Sequence, residues 1–316
     1  SKNPAAKLDD YFDATMQAFT YQVKIYGLPW IGMPAMLYVN LDYAQAAGYD
    51  PNNINNWTWD DFQQACIKMT KDANGNNPGA SGFDASNVKQ YGFSVTPGWP
   101  PLQQYIWEAG GEVITPDLKS SPIDSPEAIQ GAQYLADLVN KYKCTPSQSV
   151  ISERGFGDMM KNGQVAMFIG GAADDLERSE GKHIKAFLLP KGSKNRDSWS
   201  YIAGMAINAK TKNNQDVVYQ AFIDLTQAIQ EWKVPAPRKS LATKEGIIKA
   251  ASYKKESADN IIANMPNMRA PHIFPGYAEW TTVFGDRYND PLIRGNGTAA
   301  DLAKQVRPLL EAKLPK

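Results

Sequence analysis

Residues 26–40, YGLPWIGMPAMLYVN, constrain the fold more than any other stretch of the chain. Two apolar runs, 26–28 and 36–39, flank Pro29, Trp30, Gly32 and Pro34. Proline fixes φ and has no amide hydrogen, and glycine tolerates positive φ. The pattern predicts a strand, an irregular turn and a second strand. The turn carries an indole. A large aromatic on such a segment either plugs a core gap or faces a cleft, and both readings are open on this stretch alone.

A chain of 316 residues is long for one compact core and predicts two lobes. Lys plus Arg and Asp plus Glu are both 33, so no basic surplus points to nucleic acid, and no run of like charge marks an interaction tail. No apolar run approaches the roughly 18 residues of a membrane span. The opening SKNPAAKLDDYF has no apolar signal-peptide core, as is also true of a processed exported chain. Cys66 and Cys144 either pair in an oxidising compartment or stay as two buried thiols. The two histidines, His183 and His272, are far apart and no Cys/His spacing matches zinc, so no metal and no cofactor is expected. Asp72-x-Asn74-x-Asn76 starts like a calcium loop, but Asn77 and Phe83 stand where glycine and glutamate belong, so a solvated turn is expected there.

Strand and helix signals alternate along the chain, an α/β pattern, and its last third reads as helical. NNWTWDDFQQACIKMTKD opens a helix with Thr58 as cap and Asp61 bonding back. Ser125-Pro126-Glu127 starts the longest clear helix, with Ala132, Leu135, Leu138 and Val139 as its apolar stripe. QYGFSV, QVAMFI, HIKAFLLP and SYIAGMAIN read as strands. QVAMFI runs into Gly170-Gly171 and then ADDLERSE, which predicts backbone N–H groups exposed at a helix start and suited to a hydroxyl or an anion.

Enzyme chemistry needs a nucleophile, a base or a metal. No G-x-S-x-G, phosphate loop, G-x-G-x-x-G or H-E-x-x-H is present. Asp60–Asp61 belongs to a helix start; Asp174–Asp175 follows the paired glycines and is within reach of a ligand. The tryptophans carry more information. Of eight, Trp59, Trp107 and Trp232 fall within helices and read as core, and Trp57 packs before a cap. Trp30, Trp99 and Trp199 lie on Pro-, Gly- or Ser-rich segments beside strand ends, and Trp280 follows the turn FPG. Ligand sites in open α/β sheets lie beyond the carboxyl ends of strands, where such loops gather. Aromatic faces there stack on sugar rings while Asp, Asn and Arg bond the hydroxyls. Ordinary packing explains any one of these aromatics; four such placements weaken that explanation for the set.

In order along the chain stand YGLPW with LYVN, NNWTWDDF, EAGGEV, DSPEAIQGAQYLADLV, FGDMMKNGQVAMFIGG, IAGMAINAKTKN and PAPRKS, followed by closing helices. This ordered set resembles the extracellular solute-binding proteins of ABC importers, in the sugar-binding group that includes maltose-binding protein. The resemblance implies the α/β two-lobe periplasmic-binding-protein fold with a hinge (type II) and a helix-rich C-terminal part. Residues 1–34 and 208–258 would form the first lobe, incomplete, and residues 35–207 and 259–316 the second. It implies no catalysis. It places Trp30, Met33, Trp99, Gly171, Asp174, Trp199, Tyr201, Arg238, Tyr277 and Trp280 at the interlobe cleft. Two departures stand out. Nothing matches the opening strand–helix–strand unit of the family, roughly the first quarter of a usual chain, which would leave strand edges and apolar surface uncovered. Ala172-Ala173 occupies a turn where several relatives carry tryptophan.

The expected function is therefore to bind a mono- or oligosaccharide between the lobes and deliver it to the membrane permease of an ABC importer by hinge closure. The expected partners are the sugar, the permease and a separate chain or segment completing the first lobe. The expected location is periplasmic or extracellular, with a lipid anchor possible. The rival expectations are a polysaccharide-acting glycosidase or lyase using Asp174 or Glu279, and a binder of an acidic solute met by Arg238 and Arg269.

Overall fold

The computed structural model describes residues 4–95, 101–155, 158–159 and 162–316. The strands, in chain order, are β1 (Thr20–Tyr21), β2 (Lys24–Ile25), β3 (Leu28–Asn40), β4 (Lys71–Asp72), β5 (Val88–Val95), β6 (Val165–Gly171), β7 (Ile184–Phe187), β8 (Ser198–Met205) and β9 (Met268–Arg269). The helices used below are α1 (Asp13–Gln17), α2 (Leu41–Ala46), α3 (Trp59–Met69), α4 (Gln103–Glu108), α5 (Pro126–Asn140), α6 (Gln148–Arg154), α7 (Gln215–Gln230), α8 (Lys244–Ala250), α9 (Ala258–Asn264), α10 (Tyr277–Phe284), α11 (Asp290–Ile293) and α12 (Ala299–Glu311). A π turn, Gly285–Asn289, joins α10 to α11.

Where the sequence predicts strand, turn and strand, the backbone runs through as one extended strand of 13 residues, β3. Its prolines are absorbed by a bulge and by a change of partner. The register with β8 slips between Pro29 and Ile31, a bulge that takes up the extra residue. β8 pairs with Leu28 to Pro34; from Ala35 to Val39 the partner is β6. Pro34 has no amide hydrogen to give and stands at the changeover. The sheet order is β4-β5-β6-β3-β8-β9, with β7 also on β3. β3 is antiparallel to β6, β7 and β8, while β5–β6 and β8–β9 are parallel.

Both faces of β3 beyond residue 34 are covered, which is why its apolar run does not alternate with polar residues. Ala35, Leu37 and Val39 face one core with Phe62 of α3, Ile106 of α4, Leu135 of α5 and Leu302 of α12. Met36 and Tyr38 face the other, with Ile247 and Ala251 near α8 and Ala258 and Ile261 of α9. Burying such a side chain contributes roughly 1.5–3 kcal/mol. Residues 244–258, grouped by sequence with the first lobe, thus pack on the same strand segment as β6.

Helix starts follow their sequence signals. Thr58 Oγ1 accepts from the Asp61 amide at 3.3 Å, and Asp61 Oδ2 accepts from the Thr58 amide at 2.9 Å. Ser125 caps α5 and Thr298 caps α12. Cys66 of α3 and Cys144 beyond α5 form a disulfide with Cα atoms 5.6 Å apart. Trp59 and Trp107 are buried, as the helical pattern predicts, and Trp57 is buried before the cap of α3; Trp232 is not, being 79% exposed just past the end of α7.

Asp72 organises its turn through hydrogen bonds. Its carboxylate accepts the amides of Asn74, Asn76 and Asp84 at 2.8–2.9 Å. The Asp84 amide, foremost among these donors, helps hold the carboxyl below its usual range. Among the described residues no group of three His, Cys, Asp or Glu is placed to hold a metal.

Candidate ligand-binding site

A cavity of about 860 Å³ opens beside β8, within the usual range of roughly 300–1,000 Å³ for small-molecule sites. Trp199 and Tyr201 lie two apart on β8, so strand geometry sends both side chains to one face. Tyr277, the first residue of α10, and Gln103, the first of α4, join them at the wall.

Trp199 is held from behind. Its indole stacks on that of Trp107, centroids 5.4 Å apart and planes 18° from parallel. Its amide donates to Gln104 Oε1. Gln104 Nε2 in turn donates to Glu108 Oε1 at 2.8 Å, and the Trp59 indole N–H donates to Glu108 Oε2 at 3.0 Å. Burial pushes the Glu108 carboxyl well above the usual carboxylate range, against the pull of the Trp59 and Gln104 donors. Arg269 lies 4.4 Å from the Trp107 ring and bonds Asp197 at 2.8 Å as well as Glu112. Tyr277 is set by a stack of three rings: Trp280 lies between Tyr277 (6.0 Å, 6°) and Phe284 (5.1 Å, 16°). Burial pushes the Tyr277 hydroxyl up to about 12, opposed by its hydrogen bond with Gln103. Gln103 is itself buried, and its Oε1 has no partner among the described residues. A buried acceptor left so costs about 1–3 kcal/mol, which a ligand hydroxyl would relieve.

The structure gathers only some of the residues singled out by sequence. Trp199, Tyr201 and Tyr277 share the cavity. Met33 is the ladder partner of Tyr201, and its side chain lies against Gly171, where an added Cβ would stand 2.7 Å from Met33 Cε. Trp280 is wholly buried and supports Tyr277 from inside. Trp30 is half-buried, with the Lys233 ammonium 4.4 Å from its ring, away from the cavity lining. Trp99 falls outside the described residues.

Arg238 is buried and committed. Its Nε donates to Asp10 Oδ2 at 2.8 Å, and Asp10 Oδ1 also accepts the Ser240 amide at 2.9 Å. The amides after β6, expected to be open to an anion, are spent internally: Gly171 donates to Asp174 Oδ2 at 2.9 Å and Ala172 to the Pro34 carbonyl at 3.0 Å. Burial, opposed by that Gly171 bond, raises the Asp174 carboxyl. The segment that follows is a single 3-10 turn, Leu176–Arg178, not a helix. Sequence reasoning missed Gln103. No sequence signal marks it, because Gln103 and Gln104 look like polar helix residues; only the structure shows that all six residues of α4 are buried.

A mixed sheet crossed by one long strand, with an aromatic-walled cavity beside the crossing, defines a solute-binding protein of the two-lobe periplasmic-binding-protein class. The chain belongs to the bacterial extracellular solute-binding protein family, whose sequence profile matches residues 1–226. The family is one of binding proteins, and the chain is not an enzyme. Comparison with curated proteins finds no match. Among solved structures, M. tuberculosis UspC has a TM-score of 0.77 at 23% identity, covering 99% of this chain and 80% of that one. The ABC substrate-binding protein Lmo0181 of Listeria monocytogenes, in complex with cycloalternan, has a TM-score of 0.77 at 18% identity, with 96% and 75% covered. Maltose-bound T. maritima MalE3 has a TM-score of 0.70 at 19% identity, with 97% and 77% covered. At these identities the likeness is one of fold.

Proposed function

We propose that the chain binds a neutral mono- or oligosaccharide in this cavity and delivers it to the permease of an ABC importer. The observation that carries the reading is the wall itself: three aromatic side chains, Trp199, Tyr201 and Tyr277, beside the unpartnered acceptor of Gln103. Flat rings stack on the C–H faces of sugars, and a buried acceptor selects a hydroxyl donor. The arginines that would favour an acidic ligand argue for a neutral one, since Arg238 is paired with Asp10 and Arg269 with Asp197 and Glu112. The structures with cycloalternan and maltose support the same ligand class.

The lobes divide at β3, with residues 1–34 and much of 208–258 on one side and residues 35–207 and 259–316 on the other. Closure about this crossing traps the sugar. The change of partner at Pro34/Ala35 supports that boundary. A separate chain or a further segment covers the first lobe. The exposure of Val217, Leu225 and Trp232 on and beside α7 supports this, because apolar side chains left in water favour a partner. The family acts outside the cytoplasm, and the Cys66–Cys144 disulfide suits an oxidising space.

A calorimetric screen of neutral and acidic sugars tests the proposal. Heat from at least one neutral sugar, with no turnover on prolonged incubation, is expected. Binding confined to uronates or sugar phosphates, or slow cleavage of an oligosaccharide, would contradict it.

A further inference from the structure

The cavity does not end at the aromatic side chains. Its lining continues along the helical rod of α10, the π turn and α11, through Tyr277, Thr281, Gly285, Asn289 and Ile293. These positions are four apart. On an α-helix that spacing drifts by about 40° per step. The wider π turn in the middle takes the drift back, so the five keep to one side of the rod. From Tyr277 to Arg294 the rod is on the order of 25 Å long. Leu135 and Val139 of α5, Ile151 of α6 and Phe284 of α10, all buried, complete this arm of the cavity. Asp290 and Arg294 are exposed and mark where it meets solvent. The polar points of this lining are few, Thr145, Gln148, Thr281 and Asn289 before the exposed end, set among apolar side chains. Apolar walls offer little to the rim of hydroxyls on a sugar ring, most of which would lose water there without gaining a partner.

We propose that the arm holds an apolar extension of the ligand, so that the substrate class is a saccharide bearing an alkyl or acyl substituent. The inference rests on the carbohydrate reading for the head group. The head lies on Trp199, Tyr201 and Tyr277 beside Gln103; the tail follows the rod past Gly285. Gly285 sets the specificity. Its φ of −62° is ordinary helix, so the backbone does not require glycine there. Among the described residues, a Cβ at this position meets no atom within 4 Å. A larger side chain would therefore stand in the open arm and block the tail without crowding the fold.

The test is calorimetry on the chain and on Gly285→Leu with maltose, octyl maltoside below its micelle-forming concentration, and 1-octanol. Each buried methylene is worth about fourfold in affinity, so octyl maltoside should bind at least about a hundredfold more tightly than maltose. Octanol should bind the chain and not the variant. Gly285→Leu should keep the maltose affinity and lose the octyl advantage, with a melting temperature no lower, since leucine is the better helix former. Gly285→Ala should keep most of the advantage. Equal affinities for the two sugars with no octanol binding, or an octyl advantage that survives Gly285→Leu, overturns the arm. Octanol binding blocked by Gly285→Leu, together with no heat from any neutral sugar, leaves the arm standing and overturns the sugar reading.

Discussion

One buried charge and one half-buried charge show how single residues hold this chain together. Lys254 is wholly buried; its ammonium donates to Glu177 Oε2 at 2.9 Å, to the Tyr38 hydroxyl at 3.0 Å and to the Asp174 carbonyl. It ties the turn after β6 to the helices beyond α8. Burial lowers its pKa, opposed by the Glu177 carboxylate. Lys254→Met strands Glu177 and should cost about 3–5 kcal/mol in urea unfolding, while Lys254→Met with Glu177→Leu should cost far less. Equal losses would mean the pair is not coupled. Asp10 shows the same economy nearer the surface. Burial lifts its carboxyl, but hydrogen bonds from Ser240 and Arg238 outweigh that and hold it below its ordinary 3.8. A carboxyl held low in the folded state favours folding above that ordinary value and loses the contribution as pH falls through the folded one. From about pH 4 downward the chain should lose stability that Asp10→Asn does not lose, as read by thermal melts across pH. Sequence marked Arg238 as a residue of interest; its partner lies 228 positions away, at a separation no local pattern reveals.

At the scale of elements, what was written in local chemistry was legible. Thr58, Ser125 and Thr298 start helices where their caps stand. β3 was legible as extended chain and illegible as one strand, because Pro29, Gly32 and Pro34 signal a turn wherever a strand keeps one set of partners. Here Pro29 falls at a bulge and Pro34 at the change of partner, which only the assembled sheet decides. The amides after Gly170 misled for a related reason: a strand into paired glycines looks like an open helix start, yet Asp174 folds back to take one of them. Cys66 and Cys144 left two readings open until α3 and the end of α5 met. Their disulfide closes a loop of 78 residues in separation. In the chain-entropy account such a closure is worth about 4.5 kcal/mol. Reduction, or Cys66→Ala with Cys144→Ala, should lower the unfolding free energy by a few kcal/mol; an unchanged urea midpoint would show that α3 and α5 are held by packing alone.

The whole molecule is recognisable from sequence through the order of its motifs, each weak by itself. Its cavity is not. Trp199 and Trp280 carry equal weight in the sequence, and the fold separates them, placing one at the wall and the other inside a three-ring stack. Gln103, the acceptor that completes the wall, looks in sequence like any polar helix residue. The apolar face of α7 is a property of the same scale. Val217→Lys with Leu225→Lys should reduce self-association in light scattering without lowering the melting temperature, because both side chains are already in water. The central claim is that a sugar ring lies on Trp199. Titrating the neutral sugar with the strongest heat into the chain and into Trp199→Ala tests it most directly. The account predicts at least a roughly tenfold loss of affinity in a variant that remains folded, from the loss of the stacking face. An unchanged dissociation constant would contradict it.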